Sequence, residues 1–176
     1  MDSAGCKRRR IHGLRWALGA APTLAAPHGR IRPMEGREGP FWDVMEGRRD
    51  PPPAAVLLGW RLVDIDPDAG IIDVAFTATD QFLNPAGDVQ GGLLAAMLDD
   101  TMGPALVATL PPGEWAPTID LQVQFLTPAK PGELRARGRV VRRGRDIAFL
   151  AGELRDSREQ LIATATASAV IRRGRA

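Results

Sequence analysis

The sequence predicts an α+β fold, one antiparallel sheet wrapped around a single central helix, and three observations carry that expectation. The first is the stretch from about Gly91 to Leu110, which reads as one long helix. Its apolar residues Leu93, Leu94, Met97, Leu98, Met102 and Leu106 do not keep to one stripe, and a helix greasy on most sides has no face to leave in water. The second is that the surrounding segments read as strands. The clearest is Thr118 to Phe125, where Ile119, Leu121, Val123 and Phe125 alternate with Thr118, Asp120, Gln122 and Gln124. The third is the element order, β-β-α-β-β-β-β, which lacks the βαβ alternation of a doubly wound parallel sheet. A sheet curled around one helix is a hot-dog architecture.

Taken in order, Phe41 to Glu46 has the make-up of a short amphipathic helical turn, which Asp50 and Pro51 to Pro53 stop. Leu58 to Asp66 and Gly70 to Ala78 are predicted strands, joined by the turn Asp66-Pro67-Asp68-Ala69-Gly70. A polar loop, Thr79 to Val89, leads to Gly91-Gly92 and the central helix, which Pro104 is expected to kink or close. Beyond Thr127-Pro128, Leu134 to Val141 sets Arg135, Arg137 and Arg139 on one face and Leu134, Ala136, Gly138 and Val140 on the other. Arg142 to Asp146 reads as a turn, with Ile147 to Asp156 and Gln160 to Arg172 as the last strands.

The 176 residues suffice for one domain and a tail. Apolar content of 44% and charged content of 25% fit a soluble globular chain. No uncharged run approaches the ~20 residues that span a bilayer, so no membrane partner and a cytoplasmic location are expected. Charge is unevenly placed. Met1 to Pro33 carries seven basic side chains against Asp2, a balance of +6, which leaves −4 for the rest of a chain totalling +2. A mildly acidic folded part argues against nucleic-acid binding. Residues 1–40 are therefore predicted to be a basic extension, disordered or lying upstream of a true start at Met34, and residues 41–176 to be the folded domain. An Arg-rich, acid-poor segment with the apolar run Trp16 to Ala26 also leaves a targeting peptide or a basic interaction tail open.

Cys6, His12 and His28 all fall in that segment, and from Met34 onward there is no Cys, His or Tyr. A Ser-His-Asp triad, a Cys-His dyad, a thiolate or imidazole metal site and a disulfide framework are all excluded from the domain. Its chemistry must run on carboxylates, hydroxyls, amides and backbone groups. Asp99 and Asp100 inside the apolar helix are the leading candidates, because an ionised Asp is seldom buried unless paired or used. Asp99 has the small residues Ala95, Ala96 and Gly103 one turn away, which leaves room for a ligand, whereas Asp100 stands beside Ala96 and Pro104. Both also fit a solvent-facing or capping role at a kink. Gly91 and Gly92 stand at the helix start, where free N–H groups with partial positive charge make plausible oxyanion donors, although a tight turn packed on a strand is the more ordinary account of a Gly-Gly pair. Thr118 is a candidate to orient a carboxylate or water, or an ordinary strand residue. Asn84 offers an amide to a carbonyl or water, or simply makes an Asn-Pro turn. Arg142, Arg143 and Arg145 could grip phosphates or form an exposed basic turn.

Spacing adds a constraint. Gly91 and Asp99 are eight residues apart, about 12 Å along a helix axis. A base must come within about 3 Å of a centre whose carbonyl oxygen the oxyanion donor holds. One helix cannot do both to one carbonyl, so if both residues are catalytic, the site joins Gly91 of one subunit to Asp99 of another.

The segment NPAGDVQGGLLAAMLDDTMG resembles the N-x-x-G-x-x-H-G-G motif and the Asp-bearing helix of the PaaI-type (phenylacetic-acid-degradation) acyl-CoA thioesterases, and PTIDLQVQFLTPAKPGEL resembles their following strand and turn. The likeness runs from about Trp60 to Ile171. It implies a hot-dog fold, an acyl-CoA substrate, and homodimers joined sheet edge to sheet edge, often paired into tetramers. It implies Asp99 as nucleophile or general base, the Gly91 N–H as the polarising donor, Asn84 as the group orienting substrate or water, and Thr118 beside the water. Gln90 and Gly92 fall within the motif at substrate-binding positions. No metal or cofactor is implied. The chain departs from the family at Gln90, where the family carries His. Two other functions compete: a hot-dog dehydratase or hydratase, which ordinarily pairs a carboxylate with the His this domain lacks, and a non-catalytic acyl-CoA or acyl-carrier binding protein.

Overall fold

The computed structural model describes residues 37–174; the expected disorder up to residue 36, with Cys6, His12 and His28, lies outside the described residues. Two short helices come first, α1 (Pro40–Met45) and α2 (Pro53–Leu58). There follow β1 (Arg61–Asp66), β2 (Ile71–Ala78), a single 3-10 turn at Asp80–Phe82, and the central helix α3 (Gly91–Val107). The remainder is β3 (Glu114–Trp115), β4 (Thr118–Phe125), β5 (Gly132–Arg143), β6 (Ile147–Asp156), β7 (Leu161–Val170) and β8 (Arg172–Arg173). Six strands make one antiparallel sheet in the order β1-β2-β5-β6-β7-β4, and β3 pairs with β8. The sheet holds α3 against its inner face, the hot-dog arrangement. Among the described residues no helix is long and apolar enough to cross a membrane.

Two local expectations are corrected. The prolines at 51–53 end one helix but also start another: Pro53 is the first residue of α2, where a fixed φ and a missing N–H cost nothing. Leu58 therefore closes a helix rather than opening a strand. Gly59, left-handed at φ 64, caps α2, and β1 begins only at Arg61. The basic turn also shrinks, because a bulge between Val140 and Arg142 lets β5 continue to Arg143. Pro104 sits inside α3 without ending it.

The helix seats closely because the strands beneath it carry glycines. A Cβ on Gly138 of β5 would stand 2.9 Å from the Thr101 carbonyl oxygen, and one on Gly152 of β6 would stand 3.0 Å from Met102 Cγ. Into that contact go Met97, Leu98, Met102 and Leu106, all sealed from solvent. Thr101 is sealed too and satisfies its hydroxyl by donating to the Met97 carbonyl at 2.7 Å. The outer face is polar: Arg137 of β5 forks onto Asp73 of β2 at 2.7 and 2.6 Å. At one border of the sheet β4 pairs, among the described residues, only with β7, and Ile119 and Phe125 are 58% and 54% exposed. Long apolar edges of this kind invite pairing with another chain.

Replacing Gly138 with Ala forces a methyl group into backbone rather than a yielding side chain. The expected cost is about 1–3 kcal/mol, read as a lowered Tm; an unchanged Tm would mean that the helix does not rest on β5 as described.

Candidate functional site

Five of the residues singled out from the sequence divide between two cavities on opposite parts of α3. The larger, of about 850 Å³, lies between α3 and the segment formed by α1, the proline run and α2. Asp99, Asp100 and Thr118 line it, with Phe41, Met45, Trp60 and Val107 among its apolar walls and Arg49 and Asp50 also in the lining. The smaller, of about 310 Å³, is lined by Asn84, Asp88, Gly91, Leu94 and the chain from Phe125 to Ala129.

In the larger cavity Thr118, the first residue of β4, donates its Oγ1–H to Asp99 Oδ1 at 2.9 Å. A carboxylate fixed through one oxygen keeps the other for a substrate or water. Asp100 differs although it is the next residue. Among the described residues its Oδ2 is shut off from solvent and has no hydrogen-bond partner. Burial, and secondarily the charge of Asp99, push its pKa up to about 6 from the ordinary 3.8. One helix thus carries a tethered carboxylate and an untethered, buried one side by side.

The smaller cavity is built around the start of α3. Asn84 uses its side-chain oxygen locally, accepting from the backbone N–H groups of Ala86 and Asp88 at 2.9 and 3.2 Å. Only its NH₂ is left to donate to a ligand. The loop is tied further by Gln90 N–H to the Phe82 carbonyl, Val89 N–H to the Ala129 carbonyl, and an ion pair from Lys130 to Asp88 at 2.7 Å. Among the described residues the Gln90 side chain makes no hydrogen bond and is exposed, so it is not what holds the loop. Gly91 is the first residue of the helix, and its N–H has no backbone acceptor among the described residues. A Cβ there would stand 3.2 Å from Phe125 Cζ, so Gly91 serves close packing as well as leaving an N–H free.

Gly92, Gln90, Arg142, Arg143 and Arg145 line neither cavity. Arg143 is engaged within the fold, donating to the Thr109 carbonyl at 2.7 Å and pairing with Glu114. The Arg145 carbonyl accepts from Arg173, and the side chains of Arg142 and Arg145 are exposed. Sequence reasoning missed the roof of the larger cavity. Phe41, Val44 and Met45 carried an amphipathic signal, but nothing in the spacing brings them over Asp99. Among the described residues no group of three or more His, Cys, Asp or Glu is placed to hold a metal ion.

Comparison with known proteins accords with this geometry. Residues 86–163 match the family described as Thioesterase superfamily. The chain is 42% identical to a phenylacetic acid degradation-related protein from Ralstonia eutropha JMP134, over 74% of this chain and 98% of that one, with a TM-score of 0.72. The PaaI protein of the E. coli phenylacetic acid degradation operon shares the fold at 22% identity, over 76% and 94% of the two chains, with a TM-score of 0.68. So does smu.793 from Streptococcus mutans UA159, a structure bound to acetyl CoA, at 24% identity over 66% and 91%, with a TM-score of 0.60. No curated protein matches the sequence.

The Asp100 environment predicts a pH signature. Its native pKa lies above the unfolded value, so between pH 3.8 and about 6 the folded chain binds the proton more tightly than the unfolded one. Stability therefore falls as pH rises through that window, and the full penalty is present above it. Asp100→Asn cannot ionise and should raise Tm by a few degrees at pH 7, with the gain vanishing below pH 4. A Tm difference that does not vary with pH would contradict the assignment.

Proposed function

The chain belongs to the thioesterase superfamily, and we propose that it is an acyl-CoA thioesterase, hydrolysing a CoA thioester to the free acid and CoA with Asp99 as nucleophile or general base. The observation that carries the proposal is Asp99 itself, a carboxylate tethered by Thr118 in the wall of an apolar cavity large enough for a substantial acyl group. Asp99 either attacks the thioester carbonyl, breaking the C–S bond to release CoA as thiolate and leave an anhydride that water then opens, or takes a proton from the attacking water, whose addition expels the CoA thiolate; in either route the thiolate takes up the proton that the water gives up. Thr118 holds the carboxylate in its attacking rotamer. The Gly91 N–H receives the developing oxyanion, and the Asn84 amide donates to substrate or water nearby.

These parts belong to different subunits in this reading. The unbroken course of α3 supports the separation of about 12 Å between Gly91 and Asp99, and each lines a cavity of its own. A homodimer, or a tetramer made of two such dimers, supplies Gly91 and Asn84 from one copy and Asp99 and Thr118 from the other. The open β4 edge with exposed Ile119, Phe125 and Leu126 is the surface that fits the pairing. Gln90 and Gly92, beside the donor, then border the thioester. Arg142 and Arg145 remain available to the CoA phosphates, whereas Arg143 is held by the fold. The alternative, a non-catalytic acyl-CoA or acyl-carrier binding protein, draws on Gln90, which stands where the family has His.

Asp99→Asn is expected to lower kcat on acyl-CoA substrates by about 10²–10⁴ while binding persists; unchanged turnover would sink the Asp99 mechanism, and tight binding without turnover in the wild type would favour the binding protein. Gly91→Pro tests the other half. Proline is tolerated as the first residue of a helix, and Gln90 at ψ 130 already has the extended conformation that precedes proline, so the change deletes the N–H while its added Cβ, 3.2 Å from Phe125 Cζ, asks that ring to give way by a few tenths of an ångström. Each variant alone should be inactive. Mixed and reassociated, they should regain about a quarter of wild-type activity, because half the dimers are mixed and each carries one intact site. No recovery would place both residues in one subunit's site.

A further inference from the structure

Pro104 leaves a gap in α3 that another part of the chain fills. Residue 104 has no N–H, so the carbonyl four residues back, that of Asp100, loses its helical partner. Trp60 supplies the missing donor: its indole Nε1–H reaches the Asp100 carbonyl oxygen at 3.0 Å. This is an uncommon bond, made across 40 residues of chain to the turn that carries both carboxylates. Interior prolines ordinarily kink a helix because the ring crowds the carbonyl four residues back and leaves it without its helical partner.

Trp60 is aimed by a rigid local device. It follows Gly59, whose left-handed conformation ends α2, and its own N–H closes the turn by bonding to the Ala55 carbonyl at 2.9 Å. Gly59 is irreplaceable on two counts, since a Cβ there would also stand 2.8 Å from Thr77 Cβ. Trp60 further lines the cavity that holds Asp99, Asp100 and Thr118.

We propose that Trp60 is a positioning residue for Asp99: its indole N–H replaces the amide that Pro104 withholds and keeps the Asp99–Asp100 turn of α3 in register with Thr118. The proposal rests on the reading of Asp99 as the catalytic carboxylate. Without the indole bond the Asp100 carbonyl is free to tilt toward the cavity, the helix opens at that turn, and the Asp99 carboxylate leaves the position in which Thr118 meets it at 2.9 Å. Displacements of about 1 Å at a reacting group cost on the order of 10²-fold in rate.

The test is a double-mutant cycle on the full-length enzyme, read as kcat and KM with an acyl-CoA the wild type hydrolyses, well below every variant's Tm. Trp60→Phe keeps a ring in the wall and removes the donor; kcat should fall roughly 10–100-fold with KM changed less than about threefold. Pro104→Ala restores the helical N–H to the Asp100 carbonyl and should leave kcat near wild type. In the Pro104→Ala background the Trp60→Phe penalty should largely disappear, a rescue that only a shared carbonyl acceptor explains. An equal penalty in both backgrounds overturns the proposal, as does a lowered Tm with kcat unchanged, which would make the bond merely structural. A rise in KM alone would make Trp60 a wall of the cavity and not a positioning residue. Asp99→Asn run alongside separates the two readings. If it is inactive while the cycle is additive, the positioning role fails and the thioesterase mechanism stands; if it is fully active, the mechanism fails and the role assigned to Trp60 fails with it.

Discussion

The structure depends on hiding the broad apolar face of α3. Leu94, Met97, Leu98, Thr101, Met102, Ala105 and Leu106 recur at the i, i+3, i+4 spacing of one buried face, while Asp99, Asp100 and Gly103 lie on the partly exposed side. The six-stranded sheet solves this by wrapping, and wrapping demands close approach where the curve is tightest. Gly138 and Gly152 provide it, on adjacent strands and paired directly across from each other. Everything chemical in the domain is then placed relative to a helix seated close on the sheet, with the Thr101 backbone over Gly138 and the Met102 side chain over Gly152.

A fixed, continuous α3 has consequences for any site built on it. The free N–H groups lie at its start and the carboxylates two turns later, so no bending brings them together. β4 stands beside both. Thr118 at its beginning meets Asp99, and Phe125 at its end covers Gly91. The same strand is an open edge of the sheet. In the proposed dimer one strand therefore orients the carboxylate, packs on the oxyanion donor and joins the subunits, which ties assembly to activity through a single element.

How much of this was legible in the sequence follows from the range of each interaction. The period-2 pattern of Thr118 to Phe125 and the apolar run from Gly91 fixed those elements almost to the residue, because burial periodicity is a local signal. Asp99, Gly91, Asn84 and Thr118 were legible as candidates, and the argument from helical rise separated them into two groups before any coordinate was needed. The second helix was not legible. Three prolines in a row read as a terminator, and whether the last of them also starts a helix depends on Ala55 and Leu58 finding a surface to pack on. Of the arginines at the β5–β6 turn, Arg143 is engaged by the Thr109 carbonyl and Glu114, and those partners are too distant in sequence for a local pattern to reveal. The bond from Trp60 to the Asp100 carbonyl lay beyond any pattern: Pro104 announces a missing donor, but nothing local says which residue supplies it.

Asp99 and Asp100 show how different two carboxylates on the same turn become when one meets a hydroxyl and the other does not. Consecutive helical residues point about 100° apart, so one carboxylate faces the first residue of β4 and the other the packed side beneath α1 and α2. The first gains a hydroxyl donor; the second gains none and is driven toward its neutral form. Asp99, held by Thr118, is the carboxylate that the proposed mechanism uses. Asp100 weakens the fold when ionised, and a destabilising group in a cavity wall is the kind of feature that stability alone would remove. Its presence beside Asp99 therefore fits a wall that meets a substrate better than one that only fills space.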